Sequence, residues 1–197
     1  MRRFSGLAAA LLLSACATSA PTAPKPAQVT TSPAGEYEYD ILIKGGTIYD
    51  GSGGKPYVAD IGVKADAINA VYPKLKGDAA VEIDARGKAV APGFIGGGDV
   101  QRGFVWIGRC GDEEPVVGEP LVRGVQRLTS ERAERLGLKE HGRIMPGWSA
   151  DIVVFENKGA LPLPGMVQDV IVGGAFAVED GRPTGRAAPP IHETCGN

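Results

Sequence analysis

Apolar and polar positions along the chain fall into short runs broken by glycine and proline, a spacing that predicts strands and tight turns in preference to long helices. Ile41-Leu42-Ile43 reads as a strand, Gly45-Gly46 as a hairpin turn and Thr47-Ile48-Tyr49 as the return strand. Ala59-Asp60-Ile61-Gly62-Val63 is a third strand, and Lys64-Ala65-Asp66 turns it into Ala67 to Val71. Val81-Glu82-Ile83-Asp84 alternates in the manner of a half-buried strand, and Ala85-Arg86-Gly87 leads into Lys88-Ala89-Val90. Past Pro92-Gly93, Phe94-Ile95 reads as entry into a buried strand, and Phe104 to Ile107 is a further candidate. Thr129 or Ser130 can cap a short helix that Glu131 favours and Gly137 ends. Pro120 to Arg127 is a weaker helical segment because Gly124 sits in its middle. A Pro146-Gly147 turn precedes Ile152 to Phe155, an unbroken apolar run expected to be buried on both faces. Val167 to Val172 and Ala175 to Val178 flank Gly173-Gly174, a hairpin turn. The pattern by itself predicts antiparallel β structure, a sandwich or a small barrel. The 29 glycines and the 6% aromatic content agree with many turns and short strands.

The first residues depart from this pattern. Met1-Arg2-Arg3 is basic, Leu7 to Leu13 is apolar, and Leu13-Ser14-Ala15-Cys16 follows directly. The apolar run is too short to cross a bilayer, which takes roughly 20 residues. The order basic, apolar, small is that of a secretory signal, and with Cys16 it resembles a bacterial lipobox, in which the cysteine is acylated and becomes the new N-terminus. An ordinary signal cleaved nearby, with Cys16 incidental, is the alternative. Arg2-Arg3 alone is a weak indication of twin-arginine export. Residues 17–36 carry Pro21, Pro24, Pro26 and Pro33 among Thr, Ser and Ala, and read as a disordered, semi-extended tether. Loss of Arg2 and Arg3 takes the formal charge from −2 to −4, and no basic patch suggests nucleic acid.

Two stretches carry a family resemblance. The first is Ile41 to Gly51, then Ala59-Asp60-Ile61-Gly62-Val63, then Ile83 to Lys88, then Ala91-Pro92-Gly93-Phe94-Ile95. The second is Arg135-Leu136-Gly137-Leu138, then Gly142-Arg143-Ile144-Met145-Pro146-Gly147-Trp148-Ser149-Ala150-Asp151 and the apolar run after it. Over Tyr39 to Ile95 and about Leu128 to Gly185 the chain resembles the amidohydrolase superfamily, nearest to N-acyl-D-amino-acid deacylases (D-aminoacylases). The resemblance implies a composite β-sandwich built from both chain ends, with a catalytic barrel between them in sequence. It also implies zinc-dependent hydrolysis of the amide bond of N-acyl-D-amino acids. In that family Pro-Gly-Phe-Ile is followed by Asp-x-His-x-His, whose histidines help to hold metal. Here those three positions are Gly96, Gly98 and Val100, and none of these side chains is a metal ligand. A (β/α)8 barrel takes about 250 residues, whereas only the 32 residues 96 to 127 separate the two stretches.

The remaining candidate chemistry is sparse. The chain has two histidines, His141 beside the Pro-Gly turn and His192 in a proline-rich tail, both read as loop or surface residues. A metal site from His141, His192, Cys110 and Cys195 has suitable atoms without a recognisable ligand spacing. Outside the cytoplasm Cys110 and Cys195 either pair as a disulfide or stay free. Gly96-Gly97-Gly98 weakens a strand, and no phosphate-binding fingerprint follows it to support an anion cradle. Asp99 has the opposite strand parity to the ligand positions, and Asp50 reads as a turn aspartate that bonds its own backbone.

The expected fold is therefore mainly β, a composite sandwich of the amidohydrolase type with one short helix and no TIM barrel. The expected organisation is a lipoprotein signal peptide over 1–16, a tether over 17–36, half a sandwich over 37–95, a junction in place of the barrel over 96–127, the other half over 128–186 and a flexible tail over 187–197. The expected function is that of a truncated amidohydrolase-like lipoprotein without catalytic or metal residues and without a cofactor of its own. It would be anchored through Cys16 on the periplasmic side of a bacterial membrane. The alternative is a non-catalytic binding or scaffold module at the membrane surface, self-associating through a sandwich face left uncovered by the missing barrel.

Overall fold

A strand that runs straight through its own Gly-Gly pair organises the molecule. In the computed structural model, which describes residues 37–96, 100–107, 118–163 and 165–185, strand β1 spans Tyr39–Ile48 without a break. The hairpin expected at Gly45-Gly46 is a β-bulge: the register against β2 (Tyr57–Lys64) slips between Ile43 and Gly46. The bulge lies where β1 exchanges partners. Before it, β1 pairs in parallel with β4 (Ala79–Asp84), from Tyr39 opposite Ala79 to Lys44 opposite Asp84. After it, β1 pairs in parallel with β5 (Lys88–Pro92), Thr47 opposite Ala89 and Ile48 opposite Val90. Both glycines are needed at this crossing. Gly45 has φ of +68°, and a Cβ on Gly46 would sit 2.4 Å from a methyl of Val90. The buried carboxylate of Asp60 holds the bulge, accepting the Gly45 N–H at 2.7 Å and the Leu75 N–H at 2.9 Å.

Among the described residues, nine strands form one mixed sheet in the order β11-β10-β9-β8-β5-β1-β2-β3, with β4 beside β1. The later members are β3 (Ala67–Tyr72), β8 (Ile152–Glu156), β9 (Val167–Val172), β10 (Ala175–Glu179) and β11 (Arg182–Pro183). The two chain halves meet at β5 and β8, antiparallel from Lys88 opposite Glu156 to Pro92 opposite Ile152. The composite architecture from both ends is thus realised as a single sheet folded over on itself. Residues 147 to 150 close it on the far side: Ile68 N–H donates to Trp148 O at 2.8 Å, and Ala150 N–H donates to Asp66 O at 2.7 Å. Inside the fold Ile43, Ile48, Ile61 and Ile68 from the first half share one core with Ile152, Val154 and Ile171 from the second. Gly173-Gly174 makes the expected β9–β10 hairpin turn, both residues with positive φ.

The other face of β5, β8 and β9 is covered as well. Ala89, Ala91, Val153, Phe155, Val170 and Val172 pack in a second core with Phe94, Phe104, Val105, Leu121, Val125 and Leu128. The covering residues come from β6 (Phe94–Gly96), which pairs in parallel with β7 (Phe104–Ile107), and from helix α1 (Leu121–Leu128). Phe94 meets Phe104 edge-on at 5.7 Å between centroids and Phe155 at 6.2 Å. The expected helix after Thr129 is α2 (Ser130–Arg135), and α1 precedes it as a second short helix. Gly124 is tolerated inside α1 because that position is buried against Leu161, whose Cδ1 would lie 2.9 Å from a Cβ there. The run Ile152 to Phe155 is completely buried on both faces, as its pattern implied.

Candidate functional site

The resemblance places the start of metal-binding chemistry directly after β6. Gly96 is buried at the end of that strand, and Val100 opens a 3-10 turn over Val100–Arg102. The chain then returns beside β6 as β7, with Gly103 O accepting the Phe94 N–H at 2.9 Å. Neither glycine nor valine offers a nitrogen, oxygen or sulfur side-chain donor, so this position does not fit zinc. Gly98 and Asp99 lie outside the described residues. Among the described residues, no group of three or more His, Cys, Asp or Glu side chains is arranged to hold a metal ion.

His141 is committed elsewhere. Its Nδ1 lies 2.8 Å from Asp151 Oδ2, while Asp151 Oδ1 accepts the Gly173 N–H at 2.9 Å. Asp151 is buried at the head of β8, and its backbone carbonyl accepts the Gly93 N–H at 2.9 Å. One aspartate thus ties together the turn before β8, the β9–β10 hairpin and the entry to β6. That is a structural junction: two of its three partners are backbone N–H groups. Asp50 likewise bonds locally, with Oδ1 accepting both the Ser52 N–H at 2.9 Å and the Ser52 hydroxyl at 2.6 Å. The loop after it docks on the helices, where Ser130 Oγ donates to Gly51 O at 2.6 Å.

Among the described residues, the carboxylate with the most unusual surroundings is Asp169 on β9, which nothing in the strand pattern singled out. Burial pushes it up to about 6, against the opposing effect of the Asp180 N–H that it accepts at 3.1 Å. Its second oxygen is buried with no hydrogen-bond partner. Cys16, Cys110, Cys195 and His192 all lie outside the described residues, as do the signal, the tether and the tail. No helix among the described residues is long and apolar enough to cross a membrane.

Comparison with known proteins adds an independent line. An allantoinase from Rubrobacter xylanophilus is 47% identical over 57 residues, 29% of this chain and 12% of that protein. A D-aminoacylase from Alcaligenes xylosoxydans xylosoxydans is 42% identical over 57 residues, again 29% of this chain and 12% of that protein. Both of these relatives are members of the amidohydrolase superfamily. These amidohydrolase matches span about one eighth of the length of each curated relative. Among solved structures, a β-aspartyl dipeptidase from Fervidobacterium islandicum-AW-1 superposes with a TM-score of 0.50 at 9% identity. That superposition covers 73% of this chain and 98% of the solved chain, and shows a shared fold. No protein-family model matches the chain.

Proposed function

We propose that this chain is a barrel-less derivative of a D-aminoacylase-like amidohydrolase that keeps the composite β domain and has lost metal-dependent hydrolysis. The observation that carries the reading is the path of the chain after β6. Where the family places an aspartate and histidines on a barrel strand, this chain has Gly96 and Val100 and folds back within a few residues to cover its own sheet. Water activation by zinc needs several protein ligands and a base, and His141, the described histidine, is held by Asp151. Protein lacking residues 1 to 16 should take up no stoichiometric zinc by elemental analysis, and should turn over none of a panel of N-acyl-D-amino acids. Stoichiometric metal with turnover would restore the enzyme.

The same reading anchors the domain through an acylated Cys16 on the periplasmic side of a bacterial membrane. Incorporation of labelled palmitate that is lost in Cys16→Ala supports it, and equal labelling of both proteins refutes it. A second reading, a binding or scaffold module, draws on the outer face of β2 and β3. There Val58 is 61% and Tyr72 65% exposed, Tyr72 standing opposite Asp60 two residues along from Val58. The self-association expected from an uncovered sandwich face has less surface to draw on, because α1, β6 and β7 bury one face of β5, β8 and β9. Sedimentation equilibrium decides it: a dimer weakened by Tyr72→Ser favours the module, and a monomer at high concentration removes self-association.

A further inference from the structure

Residues 73–78 cross the outer face of the sheet, because β3 lies beside β2 whereas β4 lies beside β1. On that face Val58 and Asp60 alternate with the inward Ala59 and Ile61, and Tyr72 stands opposite Asp60. The crossing is held at two points. Leu75 N–H donates to the buried Asp60 carboxylate at 2.9 Å, and Asp78 O accepts the Tyr39 N–H at 3.0 Å. Gly77 lies against Glu38, whose carboxylate a Cβ there would strike. Between these points Lys74 and Lys76 are exposed, as are Tyr72 and Val58 beside them. Lys55, Pro56 and Tyr57 continue the exposed surface at the start of β2. Residues 55–58 and 72–76 together hold three lysines and no acid, in a chain of net charge −2. Lys44 and Lys64 are each paired with a carboxylate, whereas among the described residues none of Lys55, Lys74 and Lys76 is in an ion pair. Acids stand at the margins: Glu38 accepts the Tyr39 hydroxyl at 3.1 Å, and Asp50 accepts from Ser52.

We propose that this face docks on an anionic lipid surface, with Lys55, Lys74 and Lys76 on the headgroup phosphates and Tyr57, Val58 and Tyr72 in the interfacial layer. Ammonium groups interleaved with amphipathic aromatic side chains suit that boundary, where one end of a tyrosine is apolar and the other wet. The inference rests on the reading of Cys16 as a lipid anchor, and the position of the face agrees with it. The described chain begins at residue 37, next to Glu38 and hence to Gly77 and Lys76. The 20 residues 17 to 36 separate that point from Cys16. A chain of that length spans about 25 Å as a coil and about 60 Å as an extended polyproline helix. An anchored domain therefore meets the bilayer at high effective concentration, and a weak contact suffices to orient it. A second copy fits the face less well. A two-fold contact sets a surface against itself, so three lysines without carboxylate partners would face three more.

The test uses protein lacking residues 1 to 16, so that no acyl chain contributes; residues 31–197 form a compact unit of their own. It is sedimented with vesicles of phosphatidylethanolamine containing about one third phosphatidylglycerol, and separately with phosphatidylcholine vesicles. The protein should bind the anionic vesicles at low salt, leave them as salt rises towards about 1 M, and ignore the neutral ones. Lys55→Gln, Lys74→Gln and Lys76→Gln combined should weaken binding about a hundredfold, roughly fivefold for each lysine. Lys139→Gln with Lys158→Gln, charges outside this face, should change it by no more than about twofold. The salt dependence of the unsubstituted protein reads the same attraction without any variant having to fold. No binding at low salt, equal binding to both vesicles, or an equal loss in the Lys139 and Lys158 variant would overturn the proposal. So would a dimer, formed without vesicles, that the three-lysine variant strengthens, because a second copy would then own the face. The palmitate experiment separates the two readings. Vesicle binding without acylation removes the anchor and keeps the docking face, whereas acylation without vesicle binding removes the docking face alone.

Discussion

The two faces of β5 and β8 are sealed by different kinds of chain. On one face Val90, Ile152 and Val154 meet β1 to β3, strands whose order and spacing belong to the amidohydrolase resemblance. On the other, Ala89, Ala91, Val153 and Phe155 meet Phe94, Phe104, Val105 and α1, part of it from the short segment that stands where a barrel would start. The first face is filled by branched side chains from both halves of the sheet, among them Ile43, Ile61 and Ile68. The second needs only apolar volume of about the right shape, and two edge-on aromatic contacts with a short helix supply it. A sheet buried on both sides does not require one particular cover.

The most direct way to break this contrast is Phe155→Ala, which strips the aromatic from the covered face. It should cost about 3–5 kcal/mol and lower the midpoint of a single thermal transition followed by circular dichroism. Two separate transitions would show that the cover opens independently of the sheet. Gly46→Ala strikes the opposite face by driving a methyl into Val90, and should cost about 1–3 kcal/mol in urea unfolding. Asp151→Ala cuts the junction between the faces, leaving the Gly173 N–H without its acceptor, and should cost about 1–3 kcal/mol by the same measurement.

Asp169 gives a pH dependence whose sign follows from burial. Its carboxyl is raised in the folded state from an ordinary 3.8 to about 6, so its neutral form stabilises the fold at low pH and that contribution is lost as pH rises through about 6. Asp169→Asn should therefore gain about 1–2 kcal/mol over the native protein near neutral pH and converge with it below about pH 4, as measured by unfolding at each pH. The smallest effect belongs to Lys44→Ala, which removes an exposed ion pair with Glu82 and should change stability by less than about 0.5 kcal/mol.

Much of the sheet was legible because strand periodicity is a local property. The run Ile152 to Phe155 announced burial on both faces, and Gly173-Gly174 announced its hairpin. Gly45-Gly46 carried the same signal and became a bulge, because β4 and β5 occupy successive halves of the same edge of β1 and the strand must continue to meet both. Gly124 argued against a helix that forms all the same, since its cost is offset by the close approach of Leu161. At the candidate site, Gly96 and Val100 declared the lack of donor atoms directly. The bond between His141 and Asp151 had no local signature, because the nine residues 142 to 150 fold between them before the two side chains meet.

By itself the sequence determined most of the strands and turns and the absence of ligand atoms at Gly96 and Val100, which depend on residue type and near-neighbour spacing alone. The two halves of the composite domain were implied by the family resemblance. Only the tertiary structure decided that β1 serves two partners through a bulge, that the junction folds back as a cover, and that Asp169 is buried with one oxygen unbonded. Each of these depends on which distant segments arrive at the same place, and burial and the field around a carboxylate exist only after they have done so.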